Sequence, residues 1–531
     1  MPATLNAPGI YIEELPSGVR PIVGVSTSDT AFVDWFPRGP DDRAVRVTSF
    51  EDFTRQFGGL HRQSNGSYAV MQYFLNGGAV AWVVRVTLDP TPETDDEPAR
   101  PGDVAATGQL AGTDDAPTVS ATAASKGSWG DALRVAVTAG ADSTLNVVVG
   151  ELVDTAVSVR ETHRNLAAAD TAAVVRAVNA ASTLVRLADI PDSTAALKAV
   201  TVDDGGVPTA WASLGNGSDA QVLGPDGDAS APAALGAALA AALPRLRRIE
   251  PEVFNLLCLP SVGNLGTSYK ALVDVAAKFC RDSYAFLVLD PPAGATTDTT
   301  TKMVAWFADT TKAPAASDAG AIYWPRLTIA DPLARSAPRD LGPCGAVAGI
   351  CARTDATRGV WKSPAGIEAT LAGAGLAGTV NEDDSARLNP LGVNVLRTFP
   401  VIGNVVWGAR TLVGADLRAD QWKYVSVRRT AFFIEKSLDA GLKWVVFEPN
   451  DEPLWSQIRL NVGSFLQDLF RKGAFQGSTP REAYFVRCDR NTTTQSDIDR
   501  GIVNISVGFA PLKPAEFVVI QIQQIAGQAT A

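Results

Sequence analysis

Histidine is nearly missing from this chain of 531 residues: only His61 and His163 occur. Neither lies between residues 246 and 531, so a Ser/His/Asp triad confined to that stretch is excluded. Cysteine is scarce as well. Cys258, Cys280, Cys344, Cys351 and Cys488 are odd in number and form no CxxC pair, which argues for buried reduced thiols over a disulfide frame or a zinc site. No Gly-Lys dipeptide occurs, which rules out a P-loop, and HExxH is absent. With a net charge of −11 there is no excess of basic residues for phosphate, so nucleic acid is not an expected partner. The longest apolar run, around Ala233 to Leu243, falls short of the ~18 residues that span a bilayer, so no membrane insertion is expected. The start, MPATLNAPGI, has neither a basic n-region nor an apolar h-region; no secretory signal is read there, and folding in a cytoplasm is expected.

What is abundant is apolar surface. A 46% hydrophobic and 19% charged composition is that of a globular protein with a large core, and ~150 residues per domain suggests three or four domains. From Pro21, IVGVSTSDTAFVDWF reads as strand, turn and buried strand. Ser49 to Phe57 reads as a Ser-capped helix, Tyr68 to Leu75 as another, and Ala81 to Val86 as a central strand. The proline- and acid-rich stretch Asp89 to Asp103 reads as a linker into an inserted, β-rich outer domain over 92–245. That domain has strands near Ala132–Thr138 and Leu145–Arg160, a helix over Thr171–Ala181 and a return linker over Leu214–Pro232. Strands and helices alternate again from Phe254, with helices at Ser268–Arg281, Thr300–Ala308 and Cys344–Arg353 and strands at Ala285–Asp290 and Ala321–Trp324. The expected class is α/β (α+β overall), with a mostly parallel core sheet covered on both faces.

Two segments stand apart. Gly9 to Glu14 is a short strand bounded by prolines. Pro514 to Gly527 is a strand in which Val518, Ile520 and Ile522 alternate with Val519, Gln521 and Gln523. A terminal strand frays unless a sheet holds it, so this one needs a partner, at home or on another molecule. Weaker signals are set aside: GAGLAG at Gly373–Gly378 follows no strand, and Glu382-Asp383-Asp384 reads as a solvated loop.

The last hundred residues carry the most specific pattern. GNVVWGART (403–411), YVSVRRTAFFIEKSL (424–438), WVVFEPNDEPLW (444–455), an amphipathic helix, GAFQG, AYFVRCDRNTTTQSDIDRG and VNISVGFAPLKPAEFVV resemble the contractile tail sheath family of phage tails and contractile injection systems. APGIYIEEL, GVSTSDTAFV, the GG-then-AWVVRV turn and LNPLGVN (388–394) share the resemblance, and the insertion does so only loosely.

The resemblance implies an N-terminal arm (1–21), a core in two parts (22–91 and 246–411), a C-terminal α+β domain (412–513) and a C-terminal arm (514–531), the terminal strands being exchanged between subunits. It implies a structural subunit without cofactor or metal that polymerises with itself around an inner tube protein, meets baseplate and terminal cap proteins, and contracts to drive the tube through a target envelope. Assembly in the bacterial cytoplasm, as part of a phage tail or injection particle, is implied too. Carried over, Ile10, Tyr11 and Ile12 lie on one donated strand and Val518, Ile520 and Ile522 on the other. In the helix Leu454–Arg471 the stripe Leu454, Ile458, Val462, Phe465, Leu466 and Leu469 should face its own core, leaving Leu460, Gln467 and Arg471 as candidate tube contacts. The alternative is a non-polymerising enzyme or binding module on a doubly wound fold.

Overall fold

The strand Thr30–Trp35 (β1) is buried at every position, as a segment apolar on both faces requires. In the computed structural model of the chain, which describes residues 21–92, 100–191, 193, 195–224 and 230–521, β1 lies inside an eight-stranded sheet. The other strands are Val45–Val47 (β2), Ala81–Val86 (β3), Leu256–Cys258 (β4), Phe286–Leu289 (β5), Gly320–Trp324 (β6), Val393–Phe399 (β7) and Gly403–Val406 (β8). Their order is β8-β7-β6-β5-β4-β1-β3-β2. The strands from β3 to β7 pair in parallel, in register such as Thr30 with both Leu256 and Ala81. Antiparallel strands close both edges. The expected class therefore stands, with a sheet that is mixed at its margins.

Helices cover this sheet for legible reasons. Ser49 accepts from the Asp52 N–H to cap Phe50–Phe57, whose Phe53 and Phe57 rings meet Phe36 at 5.4 and 5.5 Å. Four readings need correction. Residues 21–29 form no strand: Ile22 packs into the core of the C-terminal unit, and the Val25 N–H donates to Ser437 Oγ. Leu327–Asp331 and Ala337–Leu341 form an unexpected hairpin, also paired with Gly375–Leu376, so that part of GAGLAG is a strand. The acidic triplet is the first turn of a helix over Glu382–Leu388, where carboxylates meet the positive end of the helix dipole. The insertion also closes earlier than residue 245. Its own core draws on residues from Ala106 to Leu214, whereas the helix Pro232–Ala242 packs on β1, β3 and Tyr269–Asp282.

One buried carboxylate roots the insertion. Asp103 accepts from Trp35 Nε1 (2.9 Å), the Leu88 N–H (2.8 Å) and the Ala220 N–H (3.0 Å), tying entry and exit to β1. Arg85, fully buried on β3, satisfies its guanidinium on the carbonyls of Phe36, Pro37, Gly39 and Lys126, the last inside the insertion.

The chain divides into two compact units, and it passes between them after Ser26, Ala356, Ser363 and Val425. The larger holds the sheet and the insertion. The smaller combines 357–363 and the chain from Ser426 with the segment ending at Ser26. Its core is formed by Ile22, Ile434, Trp455, Phe465 and Phe475 together with the apolar stripe of the helix Glu452–Arg471. Among the described residues, no helix is long and apolar enough to cross a membrane.

Candidate functional site

The smaller unit presents the most exposed apolar chain. Phe517, Val518, Val519 and Ile520 are 74%, 81%, 82% and 78% exposed, and no ladder pairs them among the described residues. Beside them in the unit, Tyr484–Arg487 (β9) pairs antiparallel with Ser506–Phe509 (β10), Tyr484 opposite Phe509 and Arg487 opposite Ser506. Among the described residues, only these two strands make up that sheet. A two-stranded ribbon is marginal alone, so among the described residues the unit carries both an unpaired strand-like segment and ribbon edges that no further strand covers. The expected strand positions Val518 and Ile520 thus share one exposed run. Ile522 and the N-terminal Ile10, Tyr11 and Ile12 lie outside the described residues.

On the helix Glu452–Arg471, Asp451 caps the N-terminus, and Leu454, Ile458, Val462, Phe465, Leu466 and Leu469 are buried. Leu460 is 55% exposed and Arg471 is also exposed. Gln467 differs from both: it is half-buried, its Oε1 accepting from Tyr484 Oη at 2.8 Å, which ties the helix to β9. The helical period shows which face Gln467 is on but not that β9 covers it. Val446 and Phe447, 63% and 103% exposed, were marked by no periodicity. The only local signal is apolar residues running straight into Glu-Pro-Asn-Asp.

In the larger unit, a doubly wound sheet has its ligand crevice where strand order reverses, here between the C-terminal ends of β1 and β4. The protein's own carboxylate fills it. Ser261 Oγ donates to Asp34 at 2.8 and 3.0 Å, and the Trp35 N–H donates at 2.8 Å. The N–H of Gly66, in the first turn of Asn65–Leu75, also points there, where a helix N-terminus would otherwise meet an anion. A Cβ on Gly66 would meet Asp34 Cβ at 2.6 Å, so glycine is what allows this approach. Burial pushes the Asp34 carboxyl up to about 7 despite these hydrogen bonds. His61 does not bridge the serine and the carboxylate; its Nδ1 accepts from the Gln63 N–H, and its ring lies 5.1 Å from Trp35.

Next to this point lies a cleft of about 570 Å³, lined by Asn65, Asn264, Thr297, Trp324, Arg326 and Arg339 among others. Several of its polar groups pair with one another: Asn65 Nδ2 donates to Asn264 Oδ1 (2.9 Å), Arg339 Nη2 to Asn65 Oδ1 (3.0 Å), and Arg326 Nε to Asp340 (2.6 Å). Among the described residues, no cluster of three metal-ligating side chains occurs.

Nearly all of the chain from Ser426 and the later strands of the parallel sheet, β4 to β8, each fall within a known domain. The family profile described as phage tail sheath protein central domain matches residues 228–412, and that described as phage tail sheath C-terminal domain matches residues 418–525. The chain belongs to the phage tail sheath family. A tail sheath protein of Vibrio phage KVP40 is 28% identical over 178 residues, 33% of this chain and 25% of that protein. The tail sheath protein of Enterobacteria phage T4 is 26% identical over 176 residues, 33% of this chain and 25% of that protein. The match to this sheath chain thus spans about a quarter of the length of either phage relative. Among solved structures, the helical sheath of the anti-feeding prophage in its contracted state is similar, with a TM-score of 0.57 and 23% identity over 98% of this chain and 100% of that one. The contracted sheath complex of an extracellular contractile injection system has a TM-score of 0.55 and 21% identity over 98% of each chain. At these identities the likeness establishes a sheath fold along nearly the whole chain.

Proposed function

We propose that this sheath chain polymerises with copies of itself around an inner tube and contracts to drive that tube through a target envelope, without catalysis of its own. The observation that carries the reading is the run Phe517–Ile520, apolar and exposed in a unit whose sheet has two strands, and uncovered edges, among the described residues. Donated to the β9–β10 ribbon of a neighbouring copy, the run becomes a further strand. Main-chain hydrogen bonds at a net ~1 kcal/mol each supply adhesion, and alternate side chains set the register. The N-terminal segment with Ile10, Tyr11 and Ile12 is the second such arm, and the prolines and glycines of residues 16–21 are its linker.

Tube contact falls to the exposed Leu460 and Arg471 on the helix Glu452–Arg471, with Gln467 held back by Tyr484. The solved relatives include an anti-feeding prophage baseplate, and a baseplate is the partner proposed to hold the sheath extended until release. The work of contraction comes from exchanging subunit interfaces for lower-energy ones while the arms hold. Assembly in the bacterial cytoplasm, as part of a phage tail or injection particle, completes the proposal. Negative-stain microscopy of the purified chain tests it: long striated tubes are expected, and compact monodisperse particles at every concentration would sink it.

A further inference from the structure

We propose that Val446 and Phe447 form a rigid knuckle that receives the arm of a second copy of this chain, Phe447 packing against Phe517 and Val519. The inference rests on the arm-exchange reading above and adds a foothold outside the β9–β10 ladder.

Phe447 is 103% exposed and sits at φ 71. A bulky aromatic in left-handed backbone is rare and strained, and such strain persists only where surrounding structure enforces it. Here the enforcement is visible. The Glu448 N–H donates to the Val445 carbonyl at 3.2 Å and the Asp451 N–H to the Pro449 carbonyl at 3.0 Å. Asn450 then accepts from Trp455 Nε1 at 2.9 Å and donates to the Ile502 carbonyl at 3.0 Å. The loop is thus clamped between the long helix and the approach to β10, and the clamp holds an apolar ring in water. Ile502 is itself 38% exposed and Phe485 on β9 is 47% exposed, so the same unit carries further exposed apolar side chains before and on the ribbon.

The arm says what covers it. Phe517 to Ile520 is apolar at both parities, and a strand added to the ribbon can turn only one parity to the core of that unit. If Val518 and Ile520 face inward, Phe517 and Val519 face outward and would remain wet. The knuckle, fixed near the Ser506 end of the ribbon through Asn450 and Ile502, is a surface of matching chemistry for that outer face.

The test uses the full chain with no other protein present. Phe447→Asn keeps a residue that tolerates left-handed backbone and removes the ring. The thermal midpoint of the unassembled variant should be unchanged or higher, while its critical concentration for tube growth rises about tenfold, the scale set by losing one buried aromatic. A critical concentration within twofold of the parent overturns the knuckle, as does a defect seen only in co-sedimentation with added tube protein. Paired cysteines test the parity: Phe447→Cys with Val519→Cys should give a disulfide-linked ladder when oxidised with diamide, and Phe447→Cys with Val518→Cys should not. Equal ladders overturn the assignment. A parent chain that forms no tubes overturns the sheath reading itself, and the knuckle with it.

Discussion

β1 and the run Phe517–Ile520 are both apolar and extended, and they meet opposite fates. Every residue of TAFVDW is buried, whereas FVVI is between 74% and 82% exposed. Composition does not separate them. β1 has β3 on one side and β4 on the other, and the C-terminal run has no ladder among the described residues. Apolar character marks where a strand wants cover; the number of strands the same chain places beside it decides whether that cover is internal. Under the arm exchange proposed above, what looks like an aggregation hazard in one copy becomes the adhesive between copies.

The contrast can be broken most severely by deleting Ala515–Ala531. Assembly should vanish, while sedimentation velocity finds a monomer with its thermal midpoint in place; a deleted chain that misfolds would mean that the run is covered at home after all. Next in size is a matched pair of truncations. Phe32, fully buried and 5.4 Å from the Tyr73 ring, should lose about 3–5 kcal/mol on change to Ala. Phe517→Ala should stay within about 0.5 kcal/mol in the unassembled chain. Denaturant titration reads both, and equal losses would erase the distinction.

A smaller effect comes from Asp34 on β1 itself. Its folded value of about 7 lies above its ordinary 3.8, so the folded state binds the extra proton and stability falls as pH rises between these values. The thermal midpoint should drop between about pH 4 and about pH 7, and Asp34→Asn should flatten that slope. Buried Asp290, pushed up to about 6, contributes with the same sign and keeps part of it. An unchanged slope in the variant would remove Asp34 as its source. The mildest test is Arg471→Glu, which should weaken co-sedimentation with preformed tube without altering growth of sheath alone; unaltered binding removes Arg471 from the contact.

Much of this fold was legible because local rules and tertiary environment agree. Thr171–Ala181 carries an Asp cap and an apolar stripe, and it is a helix over those same residues. Ala81–Val86 is apolar on both faces and lies between two strands. Pro232–Ala242 shows where this fails: a helix of alanine and leucine has no distinct face, so nothing local says that it packs on the parallel sheet. The pairing of Asp34 with Ser261 crosses 227 positions and has no sequence signal at all. At the candidate site, the need of the C-terminal run for a partner was readable from alternation. The clamp around Phe447 was not, because it depends on Asn450 reaching a carbonyl 52 positions away.

The two units are joined after Ser26, Ala356, Ser363 and Val425, which makes four covalent tethers. On the arm exchange proposed above, a subunit hauled by its C-terminal arm would take the load into the smaller unit first. From there the tension divides over parallel tethers instead of running along one, so each backbone segment bears a fraction of it. The larger unit is towed as a stitched patch is towed by its cloth, with no single seam at which a pull on the end begins to unravel it.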